Sequence, residues 1–108
     1  MITGTIVLIP FPFSELTNIK VRPALVVCET KDKHRDLMLC AISSVIPDVL
    51  GDSEILLQPD KVNKLRVRSV IKVDRIMTLK QGAIIATLGS LTASEAGRFK
   101  QKIIELVN

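Results

Sequence analysis

Arg22 and Pro23 stand at the mouth of an apolar run, Ala24-Leu25-Val26-Val27, and that adjacency is the first place where the chain can do chemistry. Pro23 fixes its own φ and biases Arg22 toward extended backbone, which holds a guanidinium beside whatever the preceding segment covers. Such a fork binds a phosphate through two parallel bonds; the competing reading is an arginine that bonds carbonyls at a strand start. Charge supplies the second feature. Between residues 61 and 80, Lys61, Lys64, Arg66, Arg68, Lys72, Arg75 and Lys80 oppose only Asp74, in a chain of formal charge +4 and pI about 9.3. That stretch suits a phosphate-bearing partner, with a solvated basic face as the alternative. Lys72 and Asp74, two apart in a strand, are expected on one face, whereas the neighbours Ser43 and Ser44 are expected on opposite faces, so that one of them enters a given pocket.

Other reactive groups offer less. Cys28 and Cys40 lie in apolar runs with no Cys or His at metal-ligand spacing, so they read as buried, reduced thiols. His34 lies in the polar stretch Lys31-Asp32-Lys33-His34-Arg35-Asp36 and reads as a solvated loop residue, with a catalytic role as the lesser alternative. No phosphate-cradling glycine loop and no HExxH motif is present, which leaves nucleotide-dependent and zinc-peptidase chemistry without a foothold.

These groups need a frame, and a chain of 108 residues makes one domain. It can bury about 65% of its exposable surface, enough for a core without disulfides or metal. Apolar residues make up 47%, yet no run of about 18 of them occurs, and the start Met1-Ile2-Thr3-Gly4-Thr5 has neither a basic nor a long apolar region, so membrane insertion and secretion are not expected and the cytoplasm is. Trp and Tyr are absent and two of three Phe fall in Pro10-Phe11-Pro12-Phe13, which removes the aromatic platforms on which sheets stack bases. Short β-branched runs predict strands at Thr5 to Ile9, Ala24 to Cys28, Leu37 to Ser43, Glu54 to Leu57, Val70 to Val73 and Ala83 to Leu88, with prolines ending the first and opening the second. Six such strands favour a small antiparallel barrel or half-barrel. The period then changes. Thr92-Ala93-Ser94-Glu95 is a capping box, and Ala96, Phe99, Ile103 and Leu106 form the apolar stripe of a closing helix. Pro59-Asp60 predicts a helical turn over Lys61 to Leu65.

Taken together, Gly4-Thr5-Ile6-Val7, the Phe-Pro turn and Lys20-Val21-Arg22-Pro23-Ala24-Leu25-Val26-Val27 resemble the MazF/PemK family of toxin ribonucleases. The resemblance continues through Leu39-Cys40-Ala41-Ile42-Ser43-Ser44, Ser69-Val70-Ile71-Lys72-Val73-Asp74-Arg75-Ile76 and the closing helix, and so spans residues 1–108 as a single domain. It implies a mainly β fold with a C-terminal α-helix, a small SH3-like or CcdB-like antiparallel barrel, and a homodimer. It further implies the toxin of a type II toxin-antitoxin pair, a metal-independent and sequence-specific endoribonuclease without cofactor. The partners implied are a cognate antitoxin and single-stranded mRNA, whose own 2′-OH attacks the adjacent phosphate to leave a cyclic phosphate and a 5′-OH.

Carried over by position, Arg22 is the family's catalytic arginine, Ser43 falls where the family commonly has a catalytic Thr, and Asp74 is the acidic member of a basic-x-acidic pair with Lys72. RNA binding falls to Lys20, Ser44, Arg68, Lys72 and Arg75, and no residue is assigned to metal. The chain departs from the family at Thr5, where Asp is usual, at Lys72, where an Arg is found, and in the loop Ser14 to Val21, which lacks glycine. Two other readings share the fold: a catalytically weak module that binds antitoxin or nucleic acid, and a gyrase inhibitor like CcdB, disfavoured by the absence of Trp.

Overall fold

The computed structural model describes residues 1–12 and 19–108. Phe13 and most of the glycine-free loop, from Ser14 to Asn18, lie outside the described residues. Among the described residues six strands form one antiparallel sheet: β1 (Thr5–Pro12), β2 (Ile19–Glu29), β3 (Leu37–Ser43), β4 (Glu54–Leu57), β5 (Ser69–Leu79) and β6 (Ala86–Ser90). Their order is β4-β5-β3-β2-β1-β6, so β4 and β6 are edges and the sheet is an open half-barrel. Helix α1 (Ala93–Glu105) follows β6, capped by Thr92, whose hydroxyl accepts from the Glu95 N–H while the Glu95 carboxylate accepts from the Thr92 N–H. No described helix is long and apolar enough to cross a membrane.

Alternation along the strands sorts the core into two clusters. Phe99 of α1 is fully buried against Ile6, Leu25, Cys40, Ile55 and Ile71 on one face, with Ala96 and Ile103 packed beside it. Leu106, the expected fourth member of that stripe, is the C-cap and is exposed. Val7, Ile9, Ala24, Val26, Leu37 and Leu39 form the second cluster on the other face.

The prolines do not end the strands where the sequence placed those ends; β1 runs on to Pro12 and β2 begins at Ile19. The Ile85 N–H donates to the Leu8 carbonyl at 2.9 Å, so the backbone polar groups of Leu8 face β6. Pro10 and Pro12 share that parity and lie beyond the last β6 pair, Leu8↔Ala86, so the donor each lacks would face an open edge. Pro23 lies where the β2 and β3 ladder stops, at Ala24↔Ala41. Before that point β2 pairs only with β1, and Ile42 and Ser43 of β3 pair only with β5, so the sheet divides between β2 and β3. A second irregularity lies at the same level of β3. The register of β3 against β5 jumps from Cys40↔Ile76 to Ala41↔Lys72, which leaves Val73, Asp74 and Arg75 as a bulge. The turn expected over Lys61 to Leu65 is a set of hydrogen-bonded turns within the loop between β4 and β5.

Candidate functional site

The division of the sheet is where the candidate chemistry collects. A cavity of about 560 Å³ borders the second core cluster, with Arg22 and Pro23 on one wall, Ser43, Ser44 and Val45 on another, and Lys72 and Arg75 on the third. A smaller cavity of about 360 Å³ borders the first cluster, and the two share Arg22, Pro23, Ile42 and Ser44. Arg22 is half-buried, as a group held by extended backbone at a strand mouth should be, and among the described residues it is the one cation common to both.

Both serines reach the larger cavity, contrary to the expectation from alternation. The reason is that β3 ends at Ser43, so Ser44 is released from the pleat. The Ser43 hydroxyl accepts the Val45 N–H at 3.1 Å, which turns the chain away from the sheet. Ile71 and Val73 are both buried in the first core cluster, so the period of two holds there and Lys72 and Asp74 lie on the opposite face. Lys72 lines the cavity, whereas Asp74, at the bulge, is exposed and outside its lining. The partner of Lys72 is Glu54, its register neighbour on β4, at 3.5 Å. Glu54 also accepts the Gly51 N–H at 2.7 Å, so one carboxylate steadies both the cation and the loop after β3. Sequence reading missed Glu54, because only the strand register brings it to Lys72.

The remaining expected residues are placed as follows. Arg75 lines the larger cavity from within the bulge. Lys20 and Arg68 are exposed and line neither cavity. Lys64 and Arg66, members of the basic run that were not singled out, line the smaller one. His34 is exposed on its polar loop, where its N–H donates to Asp32 at 3.1 Å. Cys40 is buried, and burial, then the charge of Asp74, pushes its thiol up to about 11, so at neutral pH it is not a nucleophile. Cys28 and Cys40 are both free thiols, and Cys28 is half-buried rather than buried, with its sulfur 3.7 Å from that of Met38. Among the described residues no three His, Cys, Asp or Glu side chains gather as metal ligands. The site is therefore a groove with cationic and hydroxylic walls, suited to a phosphodiester.

Comparison with known proteins identifies a family and a similar fold. The family model described as the PemK-like, MazF-like toxin of type II toxin-antitoxin system matches residues 3–107. No curated protein matches the sequence. Among solved structures, the Mycobacterium tuberculosis toxin MazF-mt6 has a similar fold, with a TM-score of 0.71 and 20% identity over 95% of each chain.

Proposed function

The chain belongs to the PemK-like, MazF-like family of toxins of type II toxin-antitoxin systems, and from that premise we propose that it is an endoribonuclease that cuts single-stranded mRNA without a metal ion. The observation that carries the reading is the position of Arg22, common to both cavities and flanked by Lys72, Arg75 and two serine hydroxyls. The RNA 2′-oxygen attacks the adjacent phosphorus, the bond to the 5′-oxygen breaks, that oxygen takes a proton from water, and a 2′,3′-cyclic phosphate and a 5′-OH remain. Charge grows on the non-bridging oxygens as the phosphorane forms, and a guanidinium fixed in advance stabilises it without reorganisation. Lys72 and Arg75 hold the flanking phosphates, and Ser43 or Ser44 donates to a phosphate oxygen. Asp74, next to Arg75 in the bulge, accepts the 2′-OH proton through one bridging water, since it lies outside the cavity lining. The cognate antitoxin of such a toxin would compete for the same cations with an acidic segment.

Incubation of the purified protein with long single-stranded RNA in EDTA tests this. The expected result is cleavage with cyclic-phosphate ends, and no cleavage of the DNA of the same sequence, which lacks the nucleophile. Cleavage that appears only on adding magnesium or manganese refutes the mechanism. The exposed position of Asp74 favours a second reading, a module that binds RNA or antitoxin and cuts weakly; RNA bound but left intact in the same assay supports that one.

A further inference from the structure

Lys64 and Arg66 line the smaller cavity from the loop between β4 and β5, and that loop is built to hold them in place. Asn63 is fully buried: its side-chain oxygen accepts the N–H groups of Asp60 at 3.0 Å and Leu65 at 2.9 Å, and its amide donates to the Gln58 carbonyl at 2.8 Å. The loop is also clamped to β6, where the Ser90 N–H donates to the Val62 carbonyl at 3.0 Å. Gly89 permits that approach, since a Cβ there would lie 2.4 Å from the Val62 oxygen. Lys64 itself adopts φ 56, left-handed backbone that a residue with a side chain takes up at a cost and keeps only when its surroundings impose it. Among the described residues neither Lys64 nor Arg66 forms an ion pair. Two cations are thus fixed beside a cavity that also has the hydroxyls of Ser44 and Ser69 and apolar walls.

Resting on the ribonuclease reading above, we propose that the smaller cavity is a nucleotide subsite. It takes the nucleotide next to the scissile phosphate, with that nucleotide's own phosphate on Lys64 and Arg66 and its base against Leu8, Val67 and Leu88. Charge and continuity identify the occupant. The two cavities have Arg22, Pro23, Ile42 and Ser44 in common as lining, so a single strand that lies along Lys72 and crosses Arg22 meets the smaller one next. Its volume, about 360 Å³, is at the small end of ligand sites and fits one nucleotide, not a folded segment.

The test is fluorescence anisotropy of a labelled single-stranded RNA titrated across salt with wild type, K64N/R66Q and K31Q/K100Q. Asn tolerates left-handed backbone, so Lys64→Asn removes the charge and keeps the loop; Arg66→Gln alone carries the test if the double variant does not fold. K64N/R66Q should bind roughly tenfold more weakly, with a salt slope smaller by about 0.7, the value for one phosphate on a single strand. K31Q/K100Q removes two charges from exposed positions elsewhere and should retain most of the affinity. Equal losses in the two double variants, or none in K64N/R66Q, overturn the subsite. The two proposals fail separately: RNA bound but uncut, with the slope lost in K64N/R66Q, refutes the ribonuclease and upholds the subsite. RNA cut normally while K64N/R66Q binds like wild type refutes the subsite alone.

Discussion

At the scale of the residue the protein turns on Arg22. A strand-end anchor and a phosphorane contact give different mutational signatures. If it only anchors, Arg22→Ala loses about 1 kcal/mol of stability through its hydrogen bonds, and activity follows the folded fraction. The position of Arg22 between two cavities leads us to expect the other outcome: a fold nearly unchanged and a rate lower by roughly 100-fold to 1000-fold, the loss that follows removal of one preorganised donor. Arg22→Lys keeps the charge without the fork and should recover part of that rate. Cleavage at the wild-type rate by folded Arg22→Ala ends the assignment. The positions of Arg22 at a strand mouth and of Ser43 at a strand end were legible from sequence because they depend on immediate neighbours, a following proline and the end of an apolar run. Alternation, by contrast, predicted one serine in the cavity, and both line it. The Glu54–Lys72 pair was not legible, since it depends on the register between two strands. The bulge after Lys72 was not legible either, and it is there that the strand leaves the cavity lining at Asp74.

Among the elements, the loop between β4 and β5 offers the clearest test. Gly89→Ala would bring a Cβ to 2.4 Å from the Val62 carbonyl and 2.6 Å from that of Asn63, both backbone atoms that cannot rotate aside. The loss should be about 1–3 kcal/mol, the range for overpacking, seen in thermal denaturation as a drop of about 4–8 °C for each kcal/mol. Gly97→Ala is the counterpart, because it lies within α1 with nothing within 4 Å of its Cβ position. Removal of glycine's conformational freedom there should stabilise by about 0.5–1 kcal/mol. Equal effects at the two sites would show that the loop gives way at Gly89. The helix was readable in the sequence because its cap and its stripe are local signals, and β3 and β4 because they are short apolar runs with plain borders. The full lengths of β1 and β2 were not, since a proline is compatible with a strand when its missing donor faces an edge, and the edge is a property of the assembled sheet.

For the whole molecule, the strand spacing indicated a small antiparallel barrel or half-barrel, and the open order of six strands is the half-barrel. What one chain leaves uncovered points to a second copy. Val21, Val45 and Val67 border the two cavities and are at least half exposed, at 50%, 77% and 54%, so the cationic groove has an apolar rim facing water. We expect a homodimer that covers part of this rim, with a sedimentation mass twice the 11.9 kDa of the chain at micromolar concentration. Val45→Asp should shift it to monomer without unfolding, because that side chain is exposed in the single chain. Salt separates this association from RNA binding. Each chain has a formal charge of +4, so the two copies repel, and added salt screens that repulsion and tightens an apolar contact. RNA binding depends on counterion release and weakens over the same range. Opposite salt responses in sedimentation and in RNA anisotropy are therefore expected, and sedimentation that finds only monomer at micromolar concentration at every salt tested rules the dimer out.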